Sequence, residues 1–262
     1  MQKKVKPKKQ LGQHFLTDDS IAGKIAESIG DYPIDRIIEV GAGMGILTKP
    51  LLSKYGSKLA CVEIDRESVD WLKKQDWTSG LQILEGDFLK MPYAELFESG
   101  NNAVIGNYPY NISTQIAFKV MESPIEVAFF GGMFQREVAR RFCADHGNKE
   151  YGVTSVLLQA YYDCKYLFTV NEGSFNPPPA VKSGVMACFR KQQNPPCSYK
   201  SLALVVKTGF NQRRKTLSNA LKPLLSSKQS FTLPENIAGK RAEQLSVETF
   251  IALALAWENA SA

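Results

Sequence analysis

The stretch RIIEVGAGMGI at residues 36–46 decides the fold that the sequence predicts. Its first five residues, Arg36–Val40, form an apolar run of the length of a buried strand. Gly41, Gly43 and Gly45 follow at once, and glycines in this position let the backbone approach a nucleotide-like ligand closely. A helix is expected to begin behind them, so the stretch predicts the first β-turn-α unit of a parallel sheet.

Beyond this turn, apolar runs alternate with helix-like segments up to residue 133. Short buried runs joined by helices predict a mainly parallel α/β sheet with right-handed crossovers and helices on both faces. The expected strands are Arg36–Val40, Leu59–Asp65, Leu81–Gly86, Ala103–Gly106 and Val127–Gly131. The expected helices are Ser20–Ile29, Thr48–Tyr55, Glu67–Gln75 and Ser113–Met121.

The pattern changes in the second half of the chain. After a helix at Val153–Tyr162, two β-rich runs flank a proline-rich turn and predict an antiparallel hairpin at the sheet edge, formed by Tyr166–Val170 and Gly184–Arg190. The stretch Lys191–Tyr199 contains two adjacent prolines and predicts a linker. We therefore expect one domain over residues 1–195, with a basic arm and loop at 1–17, and a small helical domain over 196–262. The helices expected there are Leu202–Phe210, Thr216–Leu225 and Val247–Asn259.

Charge and cysteine content narrow the function classes. The formal net charge is +6, and lysines cluster at the N-terminus, at positions Lys3, Lys4, Lys6, Lys8 and Lys9. A second basic run is Arg213-Arg214-Lys215. Such clusters either attract a polyanion or are simply solvated residues of the surface. Five cysteines without a CxxC pair and only two histidines argue against a metal site. No segment is typical of a signal peptide or a membrane span, so we expect a cytoplasmic protein.

Two acidic residues at strand ends complete the ligand site that the glycines begin. Glu63 ends the second strand, about 20 residues after the glycine turn, where a carboxylate accepts hydrogen bonds from ribose hydroxyls. Asp87 ends the third strand and is placed to accept from an adenine amine, with Phe88 as a stacking surface. The GxGxG spacing departs from the pyrophosphate-binding GxGxxG, because Ile46 stands at the third glycine position. An adenosine-type cofactor without phosphate, S-adenosylmethionine, fits this pattern better than a dinucleotide.

The fourth strand ends in Asn107-Tyr108-Pro109-Tyr110, at the sheet edge where open α/β sheets bind ligands. The exocyclic amine of adenine is a poor nucleophile, because its lone pair is delocalised into the ring. The side-chain oxygen of Asn107 and the carbonyl of Tyr108 are suited to accept its two N–H groups, with Pro109 fixing the turn. Tyr110 offers a face on which the base stacks. The turn predicts methyl transfer to an adenine amine.

These and other stretches resemble a known family, the ribosomal RNA adenine dimethyltransferases, and most closely its small-subunit branch. They occur in family order from residue 10 to about 250: QHFL at 13–16, EVGAG at 39–43, VEID at 62–65, NYPYNIS at 107–113, FNPPP at 175–179 and FNQRRKTL at 210–217. The resemblance implies a Rossmann-like class I methyltransferase domain with S-adenosylmethionine as cofactor.

The resemblance also implies roles for individual residues. The cofactor would be held by Gln13, His14, Leu16, Gly41, Gly43, Gly45, Glu63, Asp87, Phe88 and Asn107. Phe175 would hold the target adenine opposite Tyr110, and Arg213, Arg214 and Lys215 would bind RNA. The implied substrate is a pair of adjacent adenines in a hairpin loop near the 3′ end of small-subunit (16S) rRNA, methylated at N6 on the 30S subunit during ribosome biogenesis. We expect the protein to act as a monomer. One departure is Tyr108, where the family usually has leucine.

Three other functions stay open from the sequence. The antibiotic-resistance branch dimethylates one adenine in large-subunit rRNA and shares the N-terminal motifs, although residues 210–221 favour the small-subunit branch. A methyltransferase fold is also used by RNA-binding assembly factors in which catalysis is secondary. A DNA amino-methyltransferase commonly carries aspartate where this chain has Asn107, and carries a separate target-reading domain.

Overall fold

The computed structural model describes residues 5–261 and has the predicted α/β architecture; Lys3 and Lys4 lie outside the described residues. The strands are β1 (Phe15–Leu16), β2 (Arg36–Val40), β3 (Leu59–Glu63), β4 (Gln82–Glu85), β5 (Asn102–Asn107), β6 (Val127–Gln135), β7 (Tyr162–Val170), β8 (Phe175–Asn176) and β9 (Ser183–Arg190). The α-helices are α1 (Asp19–Glu27), α2 (Thr48–Tyr55), α3 (Arg66–Leu72), α4 (Tyr93–Leu96), α5 (Ser113–Met121), α6 (Arg136–Phe142), α7 (Val153–Gln159), α8 (Tyr199–Asn211), α9 (Leu217–Ala220), α10 (Lys222–Leu225), α11 (Glu235–Ala238) and α12 (Val247–Asn259).

The main sheet has the strand order β4-β3-β2-β5-β6-β9-β7. The first five of these strands in that order pair in parallel, and β6 pairs with β9 antiparallel. The predicted parallel sheet is therefore confirmed, and β7 and β9 are neighbours at its edge. A second, two-stranded sheet was not predicted: β1 pairs antiparallel with β8, which brings a segment near the N-terminus to the proline-rich turn.

The chain forms two compact units. Among the described residues, the first comprises everything up to Ala139 together with Lys165–Arg190. The second comprises Arg140–Cys164 together with everything from Lys191 onward. The predicted division near residue 195 places residues 140–164 in the first domain, whereas the structure groups them with the C-terminal helices.

Two boundaries differ from the sequence prediction, one within a predicted helix and one at the end of a predicted strand. Residues Thr216–Leu225 were expected to form one helix but form α9 and α10, with Leu221 at φ −88°, ψ 4° between them. Pro223 has no N–H to donate to a preceding turn, which explains the break. The expected strand end at Asp65 is also wrong, because Asp65 instead caps α3, accepting a hydrogen bond from the Glu67 N–H at 3.2 Å.

The core of the first unit lies on both faces of the sheet. Asp18 caps helix α1, because its carboxylate accepts from the N–H groups of Ser20 and Ile21. The helix buries one face through Ala22, Ile25 and Ala26. Fully burying a side chain such as Ile25 contributes about 1.5–3 kcal/mol. These contacts hold α1 against the sheet, from which the carboxyl ends of β2, β3 and β5 reach the site.

Strands β5 and β6 approach each other closely through a glycine pair, because Gly106 is opposite Gly132. Gly132 has φ +126°, a conformation that L side chains rarely adopt, and a Cβ there would collide with the Gly106 backbone. The ring of Tyr108 lies against the same pair, 3.1 Å from the Cβ position of either glycine. The pair thus makes room for the residue that directly follows the end of β5.

We expect Gly132→Ala to lower the free energy of unfolding by about 2–5 kcal/mol, through backbone strain and overpacking together. Gly23→Ala is the matched control. Gly23 lies in α1 without a positive φ, and no neighbouring atom is within 4 Å of the place its Cβ would take, so the same change there raises stability by about 0.5–1 kcal/mol. Urea denaturation measures both, and wild-type stability for Gly132→Ala would contradict the close approach of β5 and β6.

Candidate active site

The carboxyl ends of the adjacent strands β3, β2 and β5 open into one cleft of about 710 Å³, including the space that communicates with solvent. Most of the predicted residues line it: Gln13, His14, Gly41, Gly43, Glu63, Asp87, Phe88, Asn107, Tyr108, Pro109 and Tyr110. Leu16, Gly45 and Phe175 do not.

The glycine turn has the predicted close approach, but its three glycines differ in what they touch. Gly41 and Gly43 line the cleft. Gly45 has φ +85°, and a Cβ there would run into the Trp77 ring and Leu72. Packing behind the turn therefore requires a glycine at position 45. Gly45 was predicted to contact a cofactor, but it does not line the cleft.

The carboxylate of Glu63 is buried and held by two backbone groups. Its Oε2 accepts from the Gly43 N–H and its Oε1 from the Asp65 N–H, both at 2.8 Å. Burial raises the pKa of Glu63, while these two N–H groups act to lower it. Each carboxylate oxygen has a second lone pair, so the group keeps acceptor capacity toward the cleft.

The end of β4 adds an acid and an aromatic ring. Asp87 lines the cleft, and its Oδ1 also accepts from the Leu89 N–H at 3.0 Å, so the residue is at the same time a loop cap. Phe88 is buried beneath the cleft. Lys119 of α5 holds this loop from below, donating to the carbonyls of Leu89 and Met91 at 3.1 and 2.6 Å, with its ammonium 5.7 Å from the Phe88 ring centroid.

Residues 8–16, which end with strand β1, contribute to the lining of the cleft and are hereafter called the strap. Lys8 Nζ lies 2.5 Å from Asp65 Oδ1, and Gln13 Nε2 donates to Asp65 Oδ2 at 3.1 Å. Burial acts to raise the pKa of Asp65, but these hydrogen bonds outweigh it and the pKa is lowered. The sequence interpretation grouped Lys8 with a polyanion-attracting cluster, whereas its ammonium is paired within the protein. Asp65 was not predicted as a site residue.

The strap also sets the orientation of the Asn107 side chain. Asn107 Nδ2 donates to the His14 carbonyl at 3.1 Å. Because a carbonyl can only accept, this bond assigns the nitrogen to the strap side and directs Oδ1 away from the strap. The amide at the end of β5 therefore offers an acceptor, which is the role that the sequence predicted for it.

Tyr108 keeps its side chain out of the cleft. Its hydroxyl donates to the Gly131 carbonyl at 2.8 Å, its N–H donates to the Met133 carbonyl at 3.0 Å, and its ring packs against those of Phe130 and Phe134. The residue is 1% exposed. The tyrosine that stands at the usual leucine position thus anchors the turn in the core and leaves its main chain to face a ligand.

The two predicted base-stacking residues are not brought face to face. Tyr110 lines the cleft, and its hydroxyl is hydrogen-bonded to the hydroxyl of Ser183, the first residue of β9. Phe175 is buried in the apolar core, where it pairs with Leu16 across the β1–β8 ladder. Ser183 was not predicted as a site residue, because nothing in its sequence neighbourhood reports a partner that lies more than 70 positions earlier in the chain.

A second cavity adjoins the glycine turn, and Leu16 belongs to it. Its lining includes Gly41, Gly43, Asn107 and the carboxylate of Glu39 at the end of β2. Glu39 is 1% exposed, its Oε2 accepts from the Cys61 thiol at 3.2 Å, and burial raises its pKa to about 7. The sequence did not predict a role in the site for Glu39.

The basic run at 213–215 lies in the second unit, at the end of α8. Arg213 is hydrogen-bonded within the second unit: its Nε donates to Glu243 Oε2 at 2.8 Å, and its Nη2 donates to the carbonyls of Lys149 and Tyr151. Arg214 and Lys215 are exposed. All three residues are thus exposed, and Arg213 differs from Arg214 and Lys215 in the hydrogen bonds that its guanidinium makes within the protein.

Residues 5–261 contain no group of three or more His, Cys, Asp or Glu side chains placed to hold a metal ion. None of the helices within residues 5–261 is both long enough and apolar enough to cross a membrane.

Comparison with known proteins adds family information to this geometry. A family model described as ribosomal RNA adenine dimethylase matches residues 4–257. A ribosomal RNA small subunit methyltransferase A of Flavobacterium johnsoniae is 51% identical over 253 residues, covering 95% of both chains. The protein of the same name from Cytophaga hutchinsonii is 50% identical over 254 residues, covering 95% of this chain and 96% of its own.

Two solved structures share the fold. A dimethyladenosine transferase from Plasmodium falciparum matches with a TM-score of 0.78 and 24% identity, covering 94% of this chain and 98% of its own. The 23S rRNA methyltransferase ErmE matches with a TM-score of 0.71 and 20% identity, covering 94% and 100%. At these identities the matches support the architecture, including its C-terminal helices.

Glu39→Gln should change how stability depends on pH. Between the ordinary pKa of 4.5 and the raised value of about 7, the folded protein keeps a proton on Glu39 that the unfolded chain has lost. Stability therefore falls as pH rises through this window and is constant above it. We expect the difference in unfolding free energy, variant minus wild type, to grow by about 2–3 kcal/mol from pH 5 to pH 8.

Urea denaturation at the two pH values measures this difference. Glu235→Gln, at an exposed carboxyl of α11, is the control and should show the same difference at both. A pH-independent difference for Glu39→Gln would mean that Glu39 is ionised in the folded protein throughout the range.

Proposed function

The chain belongs to the ribosomal RNA adenine dimethylase family, and from that premise we propose that it dimethylates N6 of two adjacent adenines near the 3′ end of small-subunit rRNA. It is an rRNA adenine dimethyltransferase, and its family and fold imply S-adenosylmethionine as the methyl donor. The small subunit is proposed because the relatives about 50% identical carry that substrate in their names. A role in subunit biogenesis belongs to the same proposal.

One observation carries the proposed chemistry. The hydrogen bond from Asn107 Nδ2 to the His14 carbonyl of the strap directs Asn107 Oδ1 away from the strap, and the buried side chain of Tyr108 fixes the main chain of the adjacent turn. Asn107 Oδ1 and the Tyr108 carbonyl accept the two N–H groups of the target amine. Both bonds draw the nitrogen lone pair out of the ring and aim it, so alignment and electrostatics do most of the work. Methyl transfer leaves a positive charge on the amine nitrogen, and this cation is acidic and loses its proton to water, so no strong base is required.

The hydrogen-bond acceptors and the aromatic ring that line the cleft fit S-adenosylmethionine, which supplies an activated methyl group when bound. Glu63 would accept from the ribose hydroxyls with the lone pairs that Gly43 and Asp65 leave available. Asp87 would accept from the cofactor's adenine amine beside Phe88. Glu39, in the adjoining cavity, would attract an ammonium group. Gln13, His14 and Leu16 would enclose the cofactor through the strap, and His14 does so through its carbonyl.

Labelled methyl transfer to unmethylated ribosomal subunits tests the function. We expect label as dimethyladenosine at two adjacent adenines near the small-subunit 3′ end. Asn107→Ala should lower the rate by about 10²-fold or more, the size typical of removing one preorganised polar group that stabilises a transition state, with cofactor binding still measurable. Label confined to the large subunit would show that the substrate is large-subunit rRNA. Absence of label from both subunits, with intact cofactor binding, would indicate an RNA-binding assembly factor.

Substitutions at Arg213 and at the pair Arg214 and Lys215 should have different effects. Arg214 and Lys215 are exposed, so replacing both with Ala should reduce the slope of log affinity against log salt by about 0.7–0.9 for each phosphate that is no longer neutralised. Arg213→Ala breaks the bonds to Glu243 and to two carbonyls, and should lower the unfolding free energy by about 1 kcal/mol. An unchanged salt slope in the double variant would mean that Arg214 and Lys215 are solvated surface residues that do not contact RNA phosphates.

A further inference from the structure

The strap is held at both of its ends. At its N-terminal end, two of its side chains reach the carboxylate of Asp65, the residue that caps α3. At its C-terminal end, β1 pairs with β8. Between these two attachments lies the His14 carbonyl, which accepts from Asn107 Nδ2 at 3.1 Å. The place of the acceptor that orients Asn107 therefore depends on what holds the N-terminal end of the strap.

The carboxylate of Asp65 uses its hydrogen-bonding capacity within the protein. Oδ1 accepts from Lys8 Nζ at 2.5 Å and from the Glu67 N–H at 3.2 Å. Oδ2 accepts from Gln13 Nε2 at 3.1 Å and from the Ser68 hydroxyl at 3.3 Å. An ionised carboxylate has about four acceptor sites, so these four bonds fill them. The side chain is 1% exposed and does not line the cleft, which makes Asp65 an anchor for the strap and not a ligand of the cofactor.

Charge as well as a hydrogen bond holds Lys8 on this anchor. Its ammonium lies 2.5 Å from Asp65 Oδ1 and 3.4 Å from Glu67 Oε1. The hydrogen bond to Asp65 raises the pKa of Lys8. Burial acts to raise the pKa of Asp65, but the bonds from the strap outweigh it and lower that pKa. Both partners are therefore charged at neutral pH, and without Lys8 the buried carboxylate would lose its counterion.

Gln13 connects the anchor to the residue that orients Asn107. Its Oε1 accepts from the Lys8 N–H at 2.8 Å, while its Nε2 donates to Asp65. The two ends of the amide thus hold the start of the strap and the anchor together. Gln13 directly precedes His14, so the anchor lies one residue away from the carbonyl that accepts from Asn107.

We propose that the Lys8–Asp65 ion pair, together with Gln13, is a positioning clasp for methyl transfer. The clasp holds the strap so that the His14 carbonyl keeps Asn107 Oδ1 aimed at the target amine. The inference rests on the proposed function and adds to it a set of positioning residues whose ion pair lies outside the lining of the cleft. Alignment does most of the work in the proposed chemistry, and a displacement of about 1 Å can cost about 10²-fold in rate. A loosened strap therefore lowers the rate although every group that contacts the reacting atoms is still present.

The experiment compares Lys8→Met, Lys8→Arg, Asp65→Asn and the double variant Lys8→Met/Asp65→Asn with wild type. Lys6→Met is the matched control for the lost charge, because Lys6 is an exposed lysine of the same N-terminal cluster and lies outside the strap. Three quantities are measured: kcat at saturating S-adenosylmethionine, KM for unmethylated small ribosomal subunits, and cofactor affinity by calorimetry. All assays are run well below the unfolding temperature of the least stable variant, so that a lost fold is not mistaken for lost alignment.

We expect Lys8→Met to lower kcat by about 10-fold, a part of the loss that a full misalignment causes. Lys8→Arg should restore most of kcat, because a guanidinium keeps the charge and the donors. Asp65→Asn keeps an acceptor for the Glu67 N–H and should lower kcat about as much as Lys8→Met. The double variant should be no slower than either single variant, because both remove the same ion pair.

The other two quantities separate alignment from binding. Cofactor affinity should fall by less than about threefold in every variant, since Glu63 and Asp87 are unchanged and direct ligand contacts carry most of the binding energy. A change in KM for the subunits that Lys8→Met shares with Lys6→Met reports the lost charge alone. The loss of kcat should be confined to the variants of the clasp.

Other outcomes overturn the inference. A raised KM with wild-type kcat, equal in Lys8→Met and Lys6→Met, would make Lys8 one more cation that attracts RNA. Weaker cofactor binding with wild-type kcat at saturation would assign the ion pair to cofactor retention, and additive losses in the double variant would show that the two residues act separately. Failure of the proposed function looks different, because wild type itself would then leave the small-subunit adenines unmethylated.

Discussion

The site depends on the buried carboxylate of Glu63. By accepting one N–H from Gly43 and one from Asp65, it ties the turn after β2 to the turn after β3. Burial alone would favour the neutral acid, and the two backbone donors oppose that preference. The same two bonds fix the loops on which a cofactor would rest, so recognition and local folding use the same atoms.

A chain of hydrogen bonds extends from this carboxylate to the residue assigned to the target amine. Asp65, held by Glu63 through its main chain, receives Lys8 and Gln13 from the strap through its side chain. Next to Gln13, the His14 carbonyl receives the Asn107 amide. The strap therefore bridges the ends of β3 and β5. Because each link is a specific donor and acceptor, a displaced strap would leave Asn107 without the partner that orients it.

The sequence predicts what is local or periodic, and much less of what is distant. The parallel strands, the glycine turn and the placement of Asn107 at the end of β5 follow from hydrophobic runs and turn residues within a few positions. The pairing of Lys8 with Asp65 and of Tyr110 with Ser183 does not, because nothing near either residue encodes a partner so far along the chain. The burial of Phe175 likewise depends on β1, a two-residue strand too short to show any periodicity.

Tyr108 shows how a change beside the reacting group can act through the sheet. Its ring needs the space above Gly106 and Gly132, and its hydroxyl satisfies the Gly131 carbonyl. A leucine in that place fills less volume and offers no donor, so the hydrogen bond to the Gly131 carbonyl would be lost, at a net cost of about 0.5–1.5 kcal/mol. The tyrosine and the glycine pair are therefore one packing solution. Since that side chain is turned into the core, the substitution leaves the acceptor facing the cleft chemically the same.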